Sequence, residues 1–358
     1  MAGLKKIADR IKTIQSTYQV TSAMKIVAVS RLRKLHTSFL KTTPYMMEMN
    51  RIVRRLIRSA STRQDSLTFS DVEQILPLPP LLKGNGKNKH YVLTVITSDD
   101  GLSGASNLMV VQKTQELVDY LQKQDKEITF FCFGTRGGEI LKRLYPNIPM
   151  RILKRKLMDK DIYLDAERLS LAMIESFRKE LFDVCLLIYN QFNSVVSQKT
   201  TIEQLVPNKL FAKENPWQFL IDSKDPDYIR RTAIGEKKLT LHQSAFLEAF
   251  GGIDMLSPLG ALGTDLLSDA TRLPETYDYE PSDIGALHKI LPQYIIAYVH
   301  RVLLETEVSD NAARLIAMDN ATRNAKDMLA KLQKRYKRTR QDKITTEIAE
   351  VISGATGL

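Results

Sequence analysis

The sequence is poor in the residues that most often carry chemistry. It has two cysteines, Cys132 and Cys185, both inside apolar runs (FFCFG and DVCLLIY). That setting predicts buried, reduced thiols and excludes a disulfide framework or a thiolate metal site. Five histidines, His36, His90, His242, His288 and His300, show no metal-ligand spacing, and no carboxylate cluster completes a site, so no metal is expected. A GxxxxGK[ST] phosphate loop is absent, which removes the usual device for holding ATP. The GTRGG segment, Gly134–Gly138, follows an expected strand and opens an expected helix, but it lacks the dinucleotide fingerprint and reads as a plain turn. No cofactor is expected. No apolar run reaches the roughly 18 residues that span a bilayer, and the N-terminus lacks the apolar core of a secretion signal.

Helix breakers are also scarce, and they are scarce at the two ends. Between Gly285 and Leu358 only Pro292, Gly354 and Gly357 interrupt a helical pattern. Apolar residues recur there at three- and four-residue steps through Leu291, Ile295, Tyr298, Val302, Leu315, Met328, Leu332, Ile344, Ile348 and Val351, one face of a helix. At ~1.5 Å per residue such a helix would be a rod of about 100 Å, too long for one globular core to cover, so it needs a long partner. Residues 1–58, broken only by Gly3 and Pro44, supply one. Leu4, Ile7, Ile11, Ile14 and Tyr18 form a heptad seam, which is expected to stumble at Thr21 and Lys25 and to resume shifted through Met24, Ala28, Leu32, Leu35 and Phe39, as a stutter would.

Negative charge is missing from the first arm. Residues 1–58 hold thirteen Lys and Arg against Asp9 and Glu48, so the +11 of the whole chain resides there and the remainder balances to zero. A second basic run, Lys331–Lys343, lies on the C-terminal rod. A basic coiled coil suits nucleic acid, anionic lipid or an acidic protein surface. Its interleaving with an apolar seam, not with stacking aromatics, argues against single strands.

Between the arms, residues 59–90 read as a linker. Residues 91–210 read as an α/β domain: strands at Tyr91–Thr97, Glu127–Phe133, Val184–Tyr189 and Val195–Leu205 alternate with helices at Ser106–Lys123, Thr135–Tyr145 and Tyr163–Glu180, which implies crossovers and a largely parallel sheet. Residues 211–273 hold the only tryptophan, Trp217, and read as an insert or elaborated subdomain. Residues 274–358 form the C-terminal helix. The expected fold class is thus α/β: a long antiparallel coiled coil of N- and C-terminal helices with an inserted Rossmann-like domain.

Both arms resemble one family. IKTIQSTYQVTSAMKIVAVSRLRKL (Ile11–Leu35) looks like the opening helix of the gamma subunit of F-type ATP synthase. EVSDNAARLIAMDNATRNAKDM (Glu307–Met328) and ITTEIAEVISGATGL (Ile344–Leu358) look like its closing helix, and SDDGLSGASN (Ser98–Asn107) resembles its strand-end loop. That loop in the family usually carries Arg and Cys where this chain has Asp100 and Ser103. Photosynthetic members carry a paired-cysteine switch, which Cys132 and Cys185 do not reproduce.

The resemblance implies a central rotor shaft that performs no catalysis itself. The paired helices would pass through a ring of alpha and beta subunits, and the α/β domain would rest on epsilon, or its delta equivalent, and the c-ring. The asymmetric shaft would then couple ion-driven rotation to nucleotide affinity at each beta subunit. Residues expected to contact the ring are Met24, Lys25, Arg31 and Arg33 on the first helix and Asp319, Asn320, Thr322 and Arg323 on the second. Such a chain is peripheral to the membrane through its complex, on the cytoplasmic face of a bacterial inner membrane or on the matrix face of a mitochondrial one. Three other readings stand beside this one: a gamma-like shaft of a diverged ATPase not devoted to synthesis, a nucleic-acid-binding coiled coil, which leaves the α/β middle unexplained, and a nucleotide-using enzyme, for which no catalytic constellation is visible.

Overall fold

The computed structural model describes residues 2–62, 78–154, 159–208, 217 and 282–356. It divides into two compact units, residues 1–31 with 314–358, and residues 32–313. Two helices contribute to both units, α1 (Ala2–Thr62) and α6 (Asp283–Thr356). They run antiparallel: Lys25 of α1 meets Asp319 of α6, whereas Ser59 of α1 meets Asp283, so the numbering rises on one helix as it falls on the other.

In the first unit the seam of α1 does not shift. Leu4, Ile7, Ile11, Ile14, Tyr18, Thr21, Lys25 and Ala28 keep one alternation of three and four residues and all are half-buried or buried. Leu32, Leu35, Phe39, Met46, Met49, Val53 and Leu56 continue it in the second unit, all buried. The expected stutter is therefore replaced by polar residues that hold their places in the seam. On α6 the seam runs through Leu315, Met318, Thr322, Ala325, Leu329, Leu332, Tyr336 and Thr339. Met328, Ile344, Ile348 and Val351, expected on it, are exposed by 42%, 44%, 54% and 72%. The apolar count of α6 alone hid this, because its last third carries two apolar stripes and only one turns inward.

The second unit is built on a five-stranded sheet in the order β3-β2-β1-β4-β5. Its strands are β1 (His90–Ile96), β2 (Glu127–Phe133), β3 (Met150–Leu153), β4 (Val184–Phe192) and β5 (Gln198–Val206). The short helix α2 (Pro80–Lys83) precedes β1, and the helices between the strands are α3 (Ser106–Gln122), α4 (Thr135–Leu144) and α5 (Asp159–Arg178). β1 pairs in parallel with β2 and β4, and β2 with β3. β5 pairs antiparallel with β4, since the connection 193–197 is too short for a crossover and can only reverse the chain. β3, four residues long and ahead of a basic stretch, gave no periodic signal in the sequence.

β1 is buried along six consecutive residues, as a central parallel strand must be. One face packs Leu93, Val95, Phe130, Cys132, Leu186 and Ile188 against Val110, Leu117, Val118 and Leu121 of α3 and Leu141 of α4. Trp217 joins this core, its ring edge-on to those of Tyr91 and Tyr120 at 6.3 Å each. The remainder of the 211–273 stretch lies outside the described residues. Both cysteines are free and buried, and burial pushes each thiol up to about 12, so they pack as small apolar groups.

Candidate functional site

In the first unit the polar positions of the seam form a charged layer. Lys25 Nζ donates to Asp319 Oδ1 at 2.7 Å, and Arg323 Nε donates to Oδ2 at 2.9 Å with Nη2 on the same oxygen. The side chains of Lys25 and Asp319 retain 23% and 19% exposure. Burial by itself would raise the Asp319 carboxyl, but the hydrogen bonds and charges of Lys25 and Arg323 outweigh it and hold the carboxyl below its ordinary value. Thr21 is buried and donates to Thr17 and Tyr18 carbonyls, while Thr322 donates to the Met318 carbonyl. Both hydroxyls are satisfied within their own helix, so they sit in the seam without needing a partner across it.

Of the residues expected at a ring contact, Lys25, Asp319 and Arg323 are thus brought together inside the chain. Met24 is half-buried and Thr322 is a seam residue, while Arg31 and Asn320, and Arg33 in the second unit, are exposed. Sequence reasoning missed an exposed apolar set on α1, Val20, Ile26 and Val27, at 53%, 66% and 51% exposure. Their signal was available: they are β-branched residues lying off the three-and-four alternation. On α6, Ile344, Ile348, Val351 and Ile352 share one helical face and are likewise exposed. The unit as a whole carries sixteen Lys and Arg against six Asp and Glu. Its outer surface is therefore basic with apolar stripes.

The second unit has the topology that in open α/β sheets places a ligand beyond the strand ends, where the order reverses between β1 and β4. Here that crevice is occupied by the chain's own side chains. Ser106, which opens α3, donates to Asp310 Oδ1 of α6 at 3.0 Å. Asn190 of β4 donates to the Ser106 Oγ and carbonyl at 2.8 and 3.0 Å, and Thr200 of β5 donates to Asn190 Oδ1 at 2.7 Å. All four residues are buried. A carboxylate at a helix N-terminus is where an anionic ligand would be held, and α6 supplies it.

The neighbouring GTRGG turn is filled in the same way. Gly134 adopts φ +110°, and a Cβ there would lie 2.0 Å from the Thr97 carbonyl oxygen, so only glycine fits. The amides that could cradle a phosphate are consumed: Thr135 N–H by Asp99 Oδ1 at 2.7 Å, Arg136 N–H by the Ser98 carbonyl at 3.2 Å, and Gly137 N–H by Thr97 Oγ1 at 3.1 Å. Asn107 ties the loop further through Ser98 and Ser103. Asp100 and Ser103 stand in that loop, its tip marked by Leu102 in the left-handed region at φ 68°. Among the described residues no group of His, Cys, Asp and Glu could hold a metal ion, and no helix is long and apolar enough to cross a membrane.

A sequence model of the ATP synthase family matches residues 3–358. The chain belongs to the ATP synthase gamma chain family. It is 32% identical to the ATP synthase gamma chain of Rhodospirillum rubrum and 30% identical to that of Pelagibacter ubique, each comparison covering 100% of both chains. Among solved structures, the rotor of the Euglena gracilis mitochondrial ATP synthase matches with a TM-score of 0.52 at 16% identity, over 96% of this chain and 99% of that one. At that identity the likeness speaks to fold: two long terminal helices flanking a Rossmann-like sheet.

Proposed function

We propose that the chain is the central rotor shaft of an F-type ATP synthase, a subunit without catalytic groups of its own. Its paired helices turn inside a ring of alpha and beta subunits, and its α/β domain bears on epsilon, or its delta equivalent, and on the c-ring. The observation that carries this reading is the full-length match to gamma chains, joined to a helix pair that is charged within its seam and basic and apolar outside. The Lys25–Asp319 ion pair ties the two helices to each other within the first unit, while Arg323 holds Asp319 from its own helix. Arg31 and Asn320 of the first unit, and Arg33 of the second, are the exposed groups offered to the ring, where cations meet acidic loops. The exposed stripe Ile344, Ile348, Val351 and Ile352 suits a bearing, because apolar contact is non-directional and permits sliding.

The chain is held peripherally at the membrane through its complex, on the cytoplasmic face in a bacterium or on the matrix face in a mitochondrion. Residues 211–273 serve as a lineage-specific insert, anchored to the α/β domain at Trp217, and residues 1–58, 59–90, 91–210 and 274–358 divide the rest. Purification of the tagged full chain from native membranes, with mass spectrometry of its partners and assay of ATP hydrolysis, tests the reading. Alpha, beta, epsilon and c subunits are expected together. Catalytic partners without a c-ring would indicate a shaft in a diverged machine, and recovery of no ATPase subunit would overturn the assignment.

A further inference from the structure

The buried polar groups that the shaft leaves unused gather where α6 meets the β4–β5 hairpin. Glu305 of α6 is 2% exposed. Its Oε1 accepts the Phe192 N–H of β4 at 3.3 Å, while its Oε2 has no hydrogen-bond partner among the described residues. One helical turn further on, Ser309 is fully buried and its Oγ is likewise without a partner. Four residues apart, the two side chains lie on one face of the helix.

A second carboxylate enters from the sheet. Glu203 of β5 accepts the hydroxyl of the half-buried Tyr298 of α6. Arg301, one turn before Glu305, is the guanidinium that acts on both carboxylates. From β4 the hydroxyl of Tyr189 faces the same group, and Arg54 of α1 acts on Tyr294 at its margin. Two carboxylates therefore lie in the field of one arginine, and the buried one carries an oxygen with no donor among the described residues.

We propose that Glu305 is a proton-binding site at the junction of α6 with the β4–β5 hairpin, the junction being tight when the proton is bound and loosened when it is lost. A proton taken from solvent onto Oε2 neutralises a buried carboxylate whose second oxygen has no donor among the described residues. It also removes one of the two negative charges that compete for Arg301. Burial pushes the Glu305 carboxyl up to about 7, with Arg301 opposing and Glu203 adding to the rise. The unfolded carboxyl titrates near its ordinary value of about 4.3. Below that range both states hold the proton and the junction is at full strength. As pH rises toward 7 only the folded state holds it, so stability falls, and above that range the loss is complete.

The test uses the full chain with 13C at the glutamate carboxyl carbons, followed from about pH 3 to about pH 9, a range that brackets both values. The signal absent in Glu305→Gln identifies the site, and its midpoint is expected near neutrality. In parallel, the urea midpoint of the parent chain falls between about pH 4.5 and about pH 7 and levels off above, while that of Glu305→Gln, which cannot ionise, shows no such fall. Should the Gln variant not fold, Glu203→Gln identifies the same signal by moving its midpoint downward, since the Glu203 charge adds to the rise. A carboxyl that titrates in the ordinary glutamate range, or parent and Gln curves that run parallel across the range, would overturn the proposal. Since no partner subunit is involved, either result is independent of the shaft assignment.

Discussion

Asp319 holds two cations, and the two are not equivalent. Lys25 reaches it from the other helix at a seam position, with about a fifth of each side chain exposed, whereas Arg323 sits one turn away on the same helix and is 52% exposed. Exposed ion pairs are worth about 0.2–1 kcal/mol, and breaking a buried pair costs about 3–5 kcal/mol. This pair lies between those limits. Lys25→Met leaves Asp319 with Arg323 and places an apolar side chain in the seam, so about 0.5–1 kcal/mol is the expected cost. Asp319→Leu leaves the Lys25 ammonium half-buried with its carboxylate gone, for about 2 kcal/mol. The double variant Lys25→Met/Asp319→Leu replaces the charged layer by an apolar one and should fall within about 0.5 kcal/mol of the parent, a coupling of about 2 kcal/mol.

Urea unfolding of the full chain, followed by helical circular dichroism and run as a double-mutant cycle, reads all three. Lowering the pH supplies a control with a fixed sign. Because the Asp319 carboxyl is held below its ordinary value, the stabilisation is complete above the unfolded carboxylate range near 3.9 and is lost as pH falls through its lower folded value. The reasoning is refuted if Lys25→Met costs as much as Asp319→Leu, or if the double variant shows the sum of the two single losses.

Two further outcomes belong to the second unit. Asp183 is buried with Oδ2 accepting the Lys89 and His90 amides at 2.8 and 2.9 Å and Oδ1 accepting Asn85 Nδ2 at 2.7 Å. Burial opposes its ionisation, but these donors prevail and hold the carboxyl below its ordinary value. Asp183→Ala should cost about 2–4 kcal/mol in guanidinium unfolding and speed exchange at the Lys89 and His90 amides, and its contribution in the parent should vanish only in acid, as pH falls through its lowered value. Asp310→Ala strands the Ser106 hydroxyl and should cost about 2–3 kcal/mol, with a coupling of at least about 1 kcal/mol to Ser106→Ala. A loss under about 0.5 kcal/mol would mean that the filled crevice contributes no grip.

The architecture was legible in the sequence where periodicity is long. Two helices of 61 and 74 residues follow from pattern alone, and so does the β1, α3, β2 and α4 succession, whose ends shift by at most one residue. Legibility failed where a residue's class misreports its position. Thr21 and Lys25 look like a break because a seam is expected to be apolar, yet a threonine that bonds its own helix and a lysine with an opposite aspartate both remain in register. Ile344 and Ile348 look like core because they are apolar, yet the inward stripe runs through Tyr336 and Thr339. For the candidate site, the composition of the ion-paired layer was named but its internal pairing was not, since spacing along one helix says nothing about what the antiparallel partner brings opposite. Asp310 and Glu305 were invisible for the same reason: nothing local distinguishes an acidic residue in a helix that will be packed against a sheet.

Those two carboxylates explain why a nucleotide-type sheet suits a part that must be gripped. The crevice at a topological switch point is the place where such a sheet presents a helix N-terminus and polar strand ends to a ligand. A long helix bearing Asp310 meets the same donors, and the covalent chain makes this occupant permanent. The hydrogen bonds from Ser106, Asn190 and Thr200 then hold α3, β4 and β5 to one turn of α6. Directional bonds resist rotation of the helix about its own axis, which apolar packing by itself resists weakly. The sheet and α6 are therefore held at one defined angular setting, and Glu305, five residues before Asp310 on the same helix, lies in the same junction.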